Sequence, residues 1–180
     1  MKKRRILSFF AVVAVVVLCL AGCQSDADTD TSDFHYITDW SLNEIVQNIE
    51  MNGKLYSMPF SVEQLGEDYS IGEKVSLTSE SYGYNLYYNN EYFALINLDT
   101  DEVDINKSLI TSLSFGENSN YKIGEFYNGN KKKNVKKTYG NPSIESDIGN
   151  LSSYTFENGD GVTVLYENNK VSGIVIRYHN

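Results

Sequence analysis

The two cysteines of this chain, Cys19 and Cys23, both fall within its first 23 residues, so no disulfide can staple anything that follows. Whatever folds beyond them is held by its own core, which excludes the small disulfide-framework class of exported domains. Export itself is written into the same stretch. Lys2, Lys3, Arg4 and Arg5 precede an apolar run from Ile6 to Leu20, interrupted only by Ser8 and Cys19, and Ala21-Gly22 form a small-residue exit. A basic start, an apolar centre and small residues at the end describe a secretory signal. The run is about fifteen residues, short of the roughly twenty that cross a bilayer as a helix. An ordinary cleaved signal would accommodate Ala21 and Gly22 but would leave a lone thiol at the start of the exported chain.

Leu20-Ala21-Gly22-Cys23 resembles the lipobox of bacterial lipoproteins. The resemblance implies that residues 1–22 are a signal peptide cut off just before Cys23, and that the Cys23 thiol carries a diacylglycerol. It also implies a location: anchored by lipid in the cell membrane, on the extracytoplasmic face. Acyl chains burying methylenes at about 0.8 kcal/mol each hold such a protein stably.

A cut before Cys23 leaves 180 − 22 = 158 residues, enough for one domain or two halves sharing a core. The removed part carries four of the 15 Lys and Arg and none of the 24 acids, so the mature charge is 11 − 24 = −13. Nucleic acid is no partner for such a surface, and anionic lipid a poor one. Residues 24–33 hold four acids and no large apolar side chain, so 23–33 reads as the lipidated Cys plus a flexible acidic tether. Fully extended, 24–33 reaches about 35 Å. Asp26, Asp28 and Asp30 have calcium-loop spacing, but Thr31 and Ile37 stand where such a loop wants Gly and Glu, so a solvated spacer fits better.

The domain, 34–180, begins near Phe34. Ser41 and Glu44 form a capping box before Leu42, Ile45, Val46 and Ile49, one apolar stripe on a short helix. Asn52-Gly53 predicts a hairpin, and Ser61 and Gln64 start another capped turn that stops at Gly66. Strands follow at Tyr84–Tyr88, Tyr92–Leu98 and Ile105–Phe115. The last third says this again: a helix from Asn130 to Tyr139 stopped by Gly140 and Pro142, then strands at Ser153–Glu157, Val162–Glu167 and Lys170–Tyr178. The expected fold is therefore α+β, two tandem helix-plus-three-stranded antiparallel meander units (about 41–115 and 116–180), with the helices packed on one sheet face.

Val135-x3-Tyr139-Gly140-Asn141-Pro142, Tyr154-Thr155-Phe156, Val162–Tyr166 and Lys170-Val171-x-Gly173-Ile174 together resemble one structural unit. It is the unit of the small outer-membrane assembly lipoproteins (the SmpA/BamE group) and of the β-lactamase-inhibitor-protein fold. The resemblance implies a fold, in tandem, and a habit of binding proteins. It transfers no binding residue.

Chemistry is sparsely signalled. His35 and His179 are the only histidines, one near each end of the domain, and no serine-hydrolase or zinc-protease motif is present. Glu67-Asp68 and Asp101-Glu102 are weak glycosidase candidates in so acidic a chain. No cofactor or metal is implied, and the expectation is a protein that is not an enzyme. Lys132, Lys133, Lys136 and Lys137 fall on one side of the second helix as a candidate polyanion contact, weighed against a merely solvated face. Tyr82, Tyr84, Tyr88 and Tyr92 are the candidate binding surface. The first three share one strand parity, with Tyr87 on the other face. Tyrosine among Ser, Gly and Asn offers rigid contact area at small entropic cost. The reading is a membrane-anchored, non-catalytic module that binds another protein, or alternatively a cell-wall or glycan polymer, with a hydrolase less favoured.

Overall fold

A computed structural model describes residues 34–78, 81–99, 104–146 and 150–178. The signal, Cys23, the acidic tether and His179 lie outside these residues. The described chain corrects the expected α+β architecture: it is mostly β, thirteen strands in two antiparallel sheets with only two short α-helices. Helix α1 spans Leu42–Val46, and its stripe stops early because Ile49 pairs with Tyr56 in a hairpin instead of adding a second turn. Ser41 makes no side-chain cap bond, whereas Gln64 Oε1 accepts from the Ser61 amide at 2.7 Å, but only over a single 3-10 turn. Helix α2 spans Lys132–Tyr139 and ends where Gly140 takes φ +77°.

The small sheet has the order β2-β1-β8-β9, built from Ile49–Met51 (β1), Lys54–Tyr56 (β2), Tyr121–Ile123 (β8) and Phe126–Tyr127 (β9). The large sheet is two four-stranded meanders joined edge to edge. The first runs β4 (Tyr69–Ser76), β5 (Tyr82–Tyr88), β6 (Glu91–Leu98), β7 (Leu109–Phe115). The second runs β10 (Ile144–Ser146), β11 (Leu151–Thr155), β12 (Gly161–Glu167), β13 (Lys170–Arg177). Strands β7 and β13 pair antiparallel from Ser112↔Arg177 to Phe115↔Ile174, and β3 (Phe60–Ser61) pairs with β7 just beyond. Each meander thus has four strands where the pattern predicted three. Three two-residue loops, Asn52-Gly53, Asn89-Asn90 and Asn168-Asn169, have positive φ at both positions, the geometry that matches strand twist.

One face of the large sheet is the core face. Leu86, Ile96, Leu113, Phe115, Val164, Ile174 and Ile176 are buried there with Ile49, Met51 and Ile123 of the small sheet. Phe115 stacks on Tyr121 at 4.4 Å, ring against ring between the sheets. Leu42, Val46 and Val135 of the two helices join the same cluster. Trp40, ahead of α1, sits on Tyr139, Tyr154 and Phe156 at 5.1, 5.8 and 4.9 Å and donates Nε1–H to the Tyr139 carbonyl at 3.1 Å. That tie fixes the start of the domain to the second meander.

Candidate functional site

Alternation along each strand gives the large sheet a second, outer face. Its central row is read straight off the pairing. Leu95, Ser114, Val175, Thr163 and Ser153 stand opposite one another from β6 to β11, with Asn85 of β5 and Ile144 of β10 at the ends. A neighbouring row runs Asn97, Ser112, Arg177, Gly161, Thr155. Seven of the twelve are Gly, Ser, Thr or Val, and Leu95, Ser114, Val175, Thr163 and Ser153 of the central row are buried. Val175 and Leu165, with Leu151 against them, form an apolar cluster separate from the main core. Ser153 and Thr163 hydroxyls lie 3.1 Å apart, whereas Ser114 Oγ and Asn85 Oδ1 are buried with no hydrogen-bond partner. Such orphaned polar atoms cost free energy in a folded chain. Desolvation lowers the Arg177 guanidinium, and nearby Asp160 opposes that shift.

The four candidate tyrosines do not share one surface. Tyr84 and Tyr88 are half-buried against the core, Tyr88 packing on Tyr69 at 4.9 Å and on Phe93 at 6.2 Å. Tyr82 is exposed at the start of β5, with Lys74 Nζ 4.4 Å from its ring centroid. Tyr92 reaches the other face, opposite Tyr87, their rings 6.2 Å apart and edge to face. Tyr92 is 38% exposed, and desolvation, reinforced by Tyr87, pushes its hydroxyl up to about 12. Tyr87 was the residue that sequence parity left out, and it completes the displayed pair. The signal for it lay in Gly72, where an added Cβ would stand 2.5 Å from the Tyr87 ring. Only glycine in β4 leaves room for that ring.

The lysines separate as well. Lys132 and Lys136 close on Glu145 of β10 at 2.8 and 2.6 Å, and Lys132 lies over the Tyr166 ring at 5.0 Å. Desolvation alone would raise the Glu145 carboxyl, but the hydrogen bonds and charges of the two lysines outweigh it and hold the group below its ordinary value. Lys133 and Lys137, one step further round the helix, stay exposed. Half of the expected polyanion contact is therefore spent inside the fold.

An open cleft of about 410 Å³ lies where the first residues of the domain meet the β11–β12 hairpin, lined in part by Ser41, Asn43, Asp160 and Tyr178. Its polar groups answer one another: Tyr178 donates to Asn43 Oδ1 at 3.1 Å, and Asn158 Nδ2 donates to Asp160 Oδ2 at 2.9 Å. Among the described residues, no group of three or more His, Cys, Asp or Glu side chains could hold a metal ion, and no helix is long and apolar enough to cross a membrane. No protein-family model, curated protein or solved structure matches the chain.

Proposed function

We propose that this chain is a lipid-anchored, non-catalytic binding protein, held at Cys23 on the extracytoplasmic face of the cell membrane, whose outer sheet face docks another protein. The observation that carries the reading is that face. It crosses seven adjacent strands from β5 to β10, about 29 Å at about 4.8 Å per strand, which suits a protein surface better than a single small ligand. The Tyr87–Tyr92 pair, with Tyr92 exposed, offers rigid aromatic contact at one end of that face. The face carries side chains of several chemistries without a base–nucleophile pair, which favours recognition over turnover.

The test is capture from a detergent extract of the source membranes, using the wild-type protein, Tyr92→Ala, and Ser112→Arg in the second row. Enrichment of a protein by wild type and its loss with both variants supports the reading; equal capture by all three refutes it. Hydroxyls beside rings would also serve a glycan, so purified wall polymer forms a second arm, and binding there alone replaces the protein partner by a polymer. The anchor has its own readout: Cys23→Ala should release the protein from membranes or block its processing, and retention without a lipid mass on Cys23 refutes it.

A further inference from the structure

We propose that the β10 edge of the domain rests on the membrane, with Phe34, Tyr36 and Ile144 set into the lipid–water boundary and Lys133 and Lys137 among the headgroups. This rests on the reading of Cys23 as a lipid anchor. Among the described residues six large apolar side chains are exposed, and three of them are Phe34 (43%), Tyr36 (46%) and Ile144 (41%). Phe34 and Tyr36 lie more than a hundred residues before Ile144, but the residues next to them in the chain share a hydrogen-bond partner. The Ile37 amide donates to the Thr155 carbonyl at 2.8 Å, and Ser143 Oγ is 3.4 Å from the same oxygen, so the strand-like entry of the domain and the start of β10 converge on one atom. Phe34 and Tyr36 stand edge to face at 5.1 Å, a rigid pair rather than two loose rings.

Helix α2 lies along the same edge. Lys132 and Lys136 grip Glu145, the residue after Ile144, and Trp40 grips the last carbonyl of α2. Lys133 and Lys137, one step further round this helix, are exposed. The same segments carry acids as well, Asp33 beside Phe34, Asp39 beside Trp40 and Glu157 beside Phe156, so the contact rests on the apolar trio more than on charge.

The occupant follows from where the described chain begins. Ten residues, 24–33, separate Cys23 from Phe34, so a lipid on Cys23 brings a bilayer within about 35 Å of this edge. The opposite edge, β4, lies seven strand spacings away, about 34 Å further. Aromatic rings at headgroup level with lysines reaching past them are the usual composition of a protein surface resting in that zone. Resting there would turn the outer sheet face sideways to the membrane, open to partners in its plane.

The experiment replaces the natural anchor, so that the two readings fail separately. Mature Cys23→Ala protein with a histidine tag at its start is held on vesicles of phosphatidylcholine, a minor share of phosphatidylglycerol, and nickel-chelating lipid. A polarity-sensitive fluorophore is placed at Tyr36→Cys or, as the control of similar exposure six strands away, at Tyr82→Cys. The expected result is a blue shift and several-fold quenching by spin-labelled lipid at 36 and neither at 82, with Lys133→Glu plus Lys137→Glu at least halving the effect at 36. A label at 36 that stays in water, or equal quenching at 36 and 82, overturns the proposal. So does a blue shift at 36 without vesicles, which would mean that protein covers the rings. Lipid contact at 36 together with unacylated Cys23 in native membranes would leave the face standing and refute the anchor alone.

Discussion

Trp40 offers the sharpest test of how the domain holds its own beginning. It gives one indole hydrogen bond to the final carbonyl of α2 and two close ring contacts, Phe156 at 4.9 Å and Tyr139 at 5.1 Å. A net hydrogen bond contributes about 1 kcal/mol and each aromatic pair about 0.5–1.5 kcal/mol. Trp40→Ala should therefore destabilise by about 3 kcal/mol, a large share of the roughly 5–15 kcal/mol typical of a domain. Trp40→Phe keeps the ring contacts and loses the donor, so it should cost about 1 kcal/mol. Trp40 is the only tryptophan, so urea unfolding is best followed by circular dichroism. Equal losses for Phe and Ala, or a loss below about 1 kcal/mol for Ala, would refute the assignment of ring contacts as the main grip.

Three further outcomes are expected. Glu145 is held below the ordinary glutamate value near 4.3 by Lys132 and Lys136, so its contribution is complete above that pH and fades as pH falls through the lower folded value; Glu145→Gln should weaken the protein at neutral pH, and the two acid-unfolding curves, read by Trp40 fluorescence, should converge at low pH. Gly161→Ala puts a Cβ 2.6 Å from the Tyr154 carbonyl oxygen, a backbone atom that cannot give, and should cost about 1–3 kcal/mol in thermal or urea unfolding. Gly129→Ala meets nothing within 4 Å but sits at φ +84°, so it should cost only the backbone strain, about 1–2 kcal/mol by the same measurement.

Turns were the most legible part of the chain, because a two-residue Asn loop depends on local chemistry alone. Asn52-Gly53, Asn89-Asn90 and Asn168-Asn169 all turn where the sequence places them. Strands dense in branched and aromatic residues, such as β12 and β13, were nearly as plain. What alternation could not show was β4, whose pairing with β5 shifts register between Ile71 and Lys74, and β10, only three residues long. Helices were over-read for the opposite reason. The Leu42, Ile45, Val46, Ile49 spacing is genuine, but the hairpin claims Ile49 and tertiary pairing overrides a local stripe. At the site, sequence identified tyrosines but not their company. Tyr92 is displayed because its partner is Tyr87, and Lys132 is withdrawn because Glu145 arrives from β10, neither of which a linear pattern contains.

The seam between β7 and β13 also sets an order of events. A chain synthesised from its N-terminus delivers all of β4 to β7 long before β13. Until then, Ser112 to Phe115 have no strand on the side that Ile174 to Arg177 will occupy. The sheet can be finished only by its last strand, and such long-range pairing is slow to form. For that interval the first meander carries a bare edge, the condition in which chains stick to one another. A shortage of the final strand would be felt not at the rim of the protein but down its middle.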